Sequence, residues 1–137
     1  MKRFLLWLAI AVCMYGGLSL PYHAYLRANP RRVAVGVDTS FEMAGFQERV
    51  ARELERISST RYSQFSLLTD KLKVHGWQER LESSSGVSYY GPRDLSALID
   101  TQRFPELSSA SRIVILTNAL DTSPLKRLPR VKVVSLR

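Results

Sequence analysis

Three short segments of this 137-residue chain could carry chemistry, and two of these are rich in oxygen-bearing side chains and directly follow an apolar run. Val33 to Val37 leads into Asp38-Thr39-Ser40-Phe41-Glu42, and Ile113 to Leu116 leads into Thr117-Asn118-Ala119-Leu120-Asp121. Gly91-Pro92-Arg93-Asp94 lies between them in sequence. Carboxylate and hydroxyl oxygens are the ligands of hard cations such as magnesium. The chemistry on offer is therefore cation binding, and Asp38, Ser40 and Asp121 are the residues that would hold an ion. The same residue types have a second use: before an amphipathic helix, Asp38 or Ser40 can accept hydrogen bonds from the free N–H groups of the first turn.

Loops that do chemistry need elements to present them. Val33 to Val37 is uninterrupted by polar residues, as expected for a strand covered on both faces. A helix is expected from Phe41 to Ile57, with Phe46, Val50, Leu54 and Ile57 on one side. Phe65 to Leu68 reads as a second strand, and Leu72 to Trp77 alternates like a half-exposed edge strand. Thr69-Asp70-Lys71 forms the hairpin turn between them. A short helix is expected from Trp77 to Leu81, a polar stretch over Ser83 to Gly86 and an extended segment over Val87 to Tyr90. A further short helix starts at Pro92 and carries Leu95, Leu98 and Ile99. Ile113 to Leu116 and Val131 to Leu136 are the last strands. Strands alternating with helices imply an α/β domain: a small, mainly parallel sheet with helices on both faces, Rossmann-like in plan. In such a sheet ligands meet the loops at the carboxyl ends of the strands, which is where the first and last of the three segments fall.

In order and spacing these segments resemble the von Willebrand factor A-like domain. The metal-ion-dependent adhesion site of that family opens with Asp-x-Ser-x-Ser after the first strand, where this chain has Asp38-Thr39-Ser40-Phe41-Glu42. Gly91-Pro92-Arg93-Asp94-Leu95 resembles the family's Gly-x-Thr-x-Leu loop, and Ile113 to Asn118 resembles its strand ending in Thr-Asp-Gly. The likeness spans Arg32 to Leu136, and three departures change what it implies. Glu42 replaces a serine, Arg93 a threonine and Asn118 an aspartate. Two oxygen ligands are lost and a fixed positive charge is gained, and a divalent ion at about 4 Å from that charge meets several kcal/mol of repulsion. The expectation is a degenerate, metal-free site with no cofactor, in which the Arg93 guanidinium stands near Asp38 and Glu42 in the cation's place; the alternative has Arg93 in solvent. A second resemblance is to metal-dependent ribonucleases of the PIN type, which would need Asp38, Glu42, Asp94 and Asp121 to converge on magnesium.

Other chemistry is not written in the chain. His23 and His75 are far apart in the sequence, no glycine-rich phosphate loop occurs, and no nucleophile, base and acid can be assembled. Trp77, Tyr89 and Tyr90 read as core or rim packing. The one cysteine, Cys13, cannot form an internal disulfide, and bulky Val12 before it does not suit a lipid-attachment site.

Phe4 to Leu26 carries no charge. As a helix, its 23 residues would extend about 35 Å, enough to cross a bilayer core of roughly 30 Å. Tyr22 and Tyr25 suit a headgroup interface, and Pro21 is expected to kink or end the helix. The plan is an anchor over 1–26, a linker over 27–32 and a domain over 33–137. A signal peptide cleaved after Ser19 is the competing reading. The short basic Met1-Lys2-Arg3 start is expected to stay in the cytoplasm. That makes the chain a single-pass protein of the inner or plasma membrane with its domain in the periplasm or otherwise outside the cytoplasm.

The formal net charge is +8. Lys126, Arg127, Arg130 and Lys132 form a basic tail without an intervening acid. It suits an acidic protein partner or anionic headgroups; no aromatic residues are interleaved for nucleic-acid stacking. The function expected is non-catalytic: a membrane-anchored interaction or assembly module, an accessory subunit of a membrane protein complex. Its partner-binding loops would use Asp38, Thr39, Ser40, Glu42, Arg93, Asp94, Asn118 and Asp121. Family members are longer, and a shortened sheet should expose apolar surface or an unpaired edge for a constitutive partner. The alternative is a PIN-like hydrolase.

Overall fold

The computed structural model describes residues 2–81 and 87–136, and the chain divides into two compact units, Met1–Pro30 and Arg31–Arg137. The first unit is a single helix, α1 (Lys2–Ala28), and nearly all side chains over 3–28 are exposed. It is long and apolar enough to cross a membrane, a property that signal sequences share. Two expectations are corrected here. The helix does not end at Pro21 but continues to Ala28, since proline removes only one of many i→i−4 hydrogen bonds. The linker is correspondingly short, because the first strand already opens at Arg31.

The second unit is an α/β domain. Strands β1 (Arg31–Val37), β2 (Ser63–Thr69), β3 (Lys73–Gln78), β4 (Arg112–Thr117) and β5 (Val131–Ser135) form one sheet in the order β3-β2-β1-β4-β5. All neighbours are parallel except β2 and β3, which form the expected hairpin. β1 is central, and its apolar run is covered on both sides. Alternate residues of a strand point to opposite faces. Val33, Val35 and Val37 enter one core with Met43, Val50, Leu54, Phe65 and Leu116. Ala34 enters the other with Leu98, Phe104, Leu107, Ile113 and Ile115.

The two faces are covered differently. The first takes a 3-10 segment (Phe41–Phe46) running into α2 (Gln47–Ser58), whose Val50 and Leu54 are fully buried. Each contributes about 1.5–3 kcal/mol by leaving water, and Leu54→Ala would forfeit more through the cavity it leaves. The expected helix from Phe41 to Ile57 therefore begins one and a half turns late. Ser40 makes no side-chain cap bond, so the tighter 3-10 pattern takes up the first N–H groups instead. The second face has no long helix among the described residues. It is covered by 3-10 turns at Ala97–Ile99 and Ser123–Arg127 and by the four-residue α3 (Glu106–Ser109). Helices on both faces were expected; only one face has a substantial one.

Two other expectations change. Trp77 is not in a helix, because β3 continues to Gln78 and Trp77 packs on the second core beneath the Arg32 guanidinium, 5.6 Å from its ring centre. The helix from Pro92 shrinks to Ala97–Ile99, since the Asp100 carboxylate accepts from the N–H groups of Gln102 and Arg103 and turns the chain. Val87 to Tyr90, expected to be extended, is not helical and lies outside the sheet, and Ser83 to Gly86 lies outside the described residues.

Candidate functional site

At the carboxyl ends of the parallel strands the loops converge on Asp38. Its side chain is completely buried because β1 delivers it between two neighbours. Its N–H donates to the Leu116 carbonyl (3.0 Å), the Thr117 hydroxyl donates to its Oδ2 (2.7 Å), and the Ser40 N–H donates to its Oδ1 (3.0 Å). A buried carboxylate needs a cation as well as dipoles, and Arg93 supplies it: Nε donates to Asp38 Oδ2 at 2.8 Å. The same guanidinium reaches Glu42 at 2.7 Å and donates to the Asn118 amide oxygen. The Asn118 amide nitrogen in turn donates to the Glu42 carbonyl oxygen at 2.9 Å. Four residues from three loops thus form one closed set of pairs around a single positive charge.

Arg93 is held there by its own loop. The Tyr90 N–H donates to the Thr39 carbonyl (2.8 Å) and the Phe41 N–H to the Gly91 carbonyl (3.2 Å), which lays the 90–91 segment against the β1 loop. Gly91 has φ +78°, a left-handed conformation that glycine adopts without strain. Further along, Leu98 packs over Gly36, where a Cβ would come within 3.2 Å of Leu98 Cδ2. Both contacts set the chain that carries Arg93.

A second buried carboxylate, Asp70, was read from the sequence only as a turn residue. Its Oδ1 accepts the Thr39 N–H at 3.0 Å and the Thr39 hydroxyl, and its Oδ2 pairs with Lys71 Nζ at 2.7 Å. Lys71 Nζ also donates to the Pro92 carbonyl. The turn after β2 therefore ties the β1 loop to the Arg93 loop. One sign of this was legible: Asp70 follows the apolar run Phe65 to Leu68 much as Asp38 follows Val33 to Val37.

The remaining candidates are dispersed. Thr39 serves Asp70. Ser40 Oγ is buried without a hydrogen-bond partner. Asp94 turns away to accept from the Ser96 hydroxyl and the Ala97 N–H, and these two bonds hold its carboxyl below the usual range. Asp121 accepts from the Ser123 N–H, and Ser123 likewise lowers its carboxyl. It lines an open depression of about 510 Å³ with Glu42, Arg93, Asn118, Ala119 and Leu120. Tyr89 has its phenol pushed up, first by burial and then by the negative charge of Asp38. The basic tail is divided as well: Lys126 and Arg127 belong to a 3-10 turn on the second face, whereas Lys132 points to the first.

The donor set does not fit a divalent ion. Asp38 Oδ2 and Asn118 Oδ1 both accept from the guanidinium, and Asp38 Oδ1 accepts from the Ser40 N–H. Among the described residues no three His, Cys, Asp or Glu side chains are grouped to hold a metal. What the arrangement can do chemically is present a hydrogen-bonded polar cluster in which one guanidinium serves two carboxylates, formally one negative charge in excess. No protein-family model, curated protein or solved structure matches this chain.

Proposed function

We propose that this chain is a membrane-anchored, non-catalytic interaction module that docks a protein partner through the loops at the carboxyl ends of its strands. An accessory subunit or assembly factor of a membrane complex is the concrete form, with α1 as an uncleaved anchor and the domain outside the cytoplasm. The observation that carries the reading is where the domain exposes apolar surface. Among the described residues of Arg31–Arg137, the exposed large hydrophobics are Phe41, Leu72, Tyr90 and Leu120, and all four lie at that one end, three on loops and Phe41 at the start of the 3-10 segment. Leu120 is 84% exposed and Phe41 67%, beside a charge cluster that is already satisfied within the chain. Grouped apolar side chains rimmed by polar ones mark protein-interaction sites. The order of the Asp38, Arg93 and Asn118 loops supports a degenerate A-like domain, in which the guanidinium keeps the shape that an ion gives to other members. Hydrolysis of the PIN type has less support, because Asp94 and Asp121 cap neighbouring turns and do not converge on Asp38.

The test uses the full chain, purified in mild detergent with whatever it retains. A defined protein should co-purify with the native chain and be lost from Leu120→Asp and Phe41→Asp, whose exposed positions leave folding intact. Identical co-purifying proteins from the native chain and both variants would end this reading.

A further inference from the structure

The opposite end of the sheet carries a different surface. A cleft of about 530 Å³ opens on the α2 side at the amino ends of the strands, and its charged lining residues are Arg31, Arg56, Arg112 and Lys132, with no acid among them. The register explains the gathering. Val33 pairs with Arg112, and Val114 pairs with Lys132. Arg31, Arg112 and Lys132 each stand two residues before Val33, Val114 and Val134 on the same face. The stagger lines up three cations diagonally across three adjacent strands, above a floor of Val33, Phe65, Val114 and Val134. Arg56 is paired with Glu53 at 2.7 Å. No acid among the described residues is recorded within ion-pair distance of the other three, and all three are exposed. The last turn of α2 adds outward carbonyls, which Arg56 offsets.

We propose that this cleft binds the headgroup of an anionic phospholipid. Three adjacent cations over an apolar floor fit an anionic amphiphile, with phosphate at the rim and glycerol and the first acyl carbons against the valines. Chain length adds a second reason. Arg31 stands three residues after Ala28, the end of α1, so a bilayer holding α1 is tethered to Arg31 by about 10 Å of chain at most. Size argues against an acidic helix of a protein partner. Two helical turns, about 10 Å across and 11 Å long, fill more than ~800 Å³ and would stand largely outside the cleft. This site lies away from the Asp38 loops and does not depend on what docks there.

The experiment takes the delipidated full chain in neutral detergent and counts bound ligand by native mass spectrometry. The probes are phosphatidylglycerol, phosphatidylcholine, glycerol phosphate and a glutamate-rich amphipathic peptide. One phosphatidylglycerol should bind at least tenfold more tightly than phosphatidylcholine, and more tightly than glycerol phosphate or the peptide. Arg112→Gln and Lys132→Gln should each weaken it about fivefold, the equivalent of the roughly 1 kcal/mol that a basic side chain near an anionic surface contributes. Arg80→Gln, an exposed cation outside the cleft, should not. Circular dichroism confirms that each variant is folded. Equal binding of the two lipids, or equal loss with Arg80→Gln, overturns the site. Tighter binding of glycerol phosphate or the peptide overturns the lipid assignment.

Discussion

Replacing Arg93 by methionine removes the charge and keeps most of the aliphatic stem, so it isolates the electrostatics of the Asp38 cluster. Three interactions disappear with unequal consequences. The pair with Glu42 involves a carboxylate side chain that is 65% exposed, and such pairs contribute about 0–1 kcal/mol. The hydrogen bond to Asn118 is a partly buried one, with a net value of about 1 kcal/mol. The pair with Asp38 decides the outcome, because that carboxylate is fully buried. Removing one partner of a buried pair costs about 3–5 kcal/mol, since the other charge is left uncompensated. Asp38 keeps the Thr117 hydroxyl and the Ser40 N–H, which favours the lower end, about 3 kcal/mol. For a domain of about 100 residues this lowers Tm by roughly 12–15 °C. The assay is thermal unfolding followed by tryptophan fluorescence, with urea unfolding for the free energy. Asp38→Asn in the same background should recover part of the loss, giving a coupling of about 2 kcal/mol between the two positions. A methionine variant melting within about 3 °C of the native chain would show that the guanidinium does not neutralise Asp38 and would refute this account of the cluster.

Asp70→Ala should lower stability by about 3 kcal/mol, read by the same melt, because it strands the buried Thr39 donors and leaves Lys71 Nζ with only the Pro92 carbonyl. Magnesium should leave the Tm of the native chain unchanged. The triple change Arg93→Thr, Glu42→Ser and Asn118→Asp should make Tm rise with added magnesium, as expected when a ligand binds only the folded state. In a spectrophotometric alkaline titration Tyr89 should ionise above the pH at which a free tyrosine does. Its phenol in the fold is raised above the usual 10.0, so its stabilising contribution is intact below pH 10 and is lost as pH rises through the folded value. Tyr89→Phe should flatten that alkaline loss, which a melt series across the range would reveal.

Much of the plan can be read directly from the chain. The uncharged stretch from Phe4, the apolar runs of β1 and β4, the hairpin at Thr69 to Lys71 and the helical stripe of Val50 and Leu54 are all patterns of local hydrophobicity, which depend on near neighbours only. Charge and residue type at 38, 42 and 93 leave two destinations for the Arg93 guanidinium, beside Asp38 and Glu42 or in solvent. Only the fold decides between them, because Gly91, the Thr39–Tyr90 hydrogen bond and Lys71 at the Pro92 carbonyl aim that loop inward. Sequence could not show that Asp70, a residue of ordinary turn type, is buried at the hub of three loops. Nor could it show that short 3-10 turns cover the second face, since their apolar residues have no sustained period. The basic cleft is the clearest case: Arg31, Arg112 and Lys132 are separated by up to a hundred residues and become neighbours only through strand register. Burial and register are properties of pairs of distant segments, and they exist only once the sheet has closed.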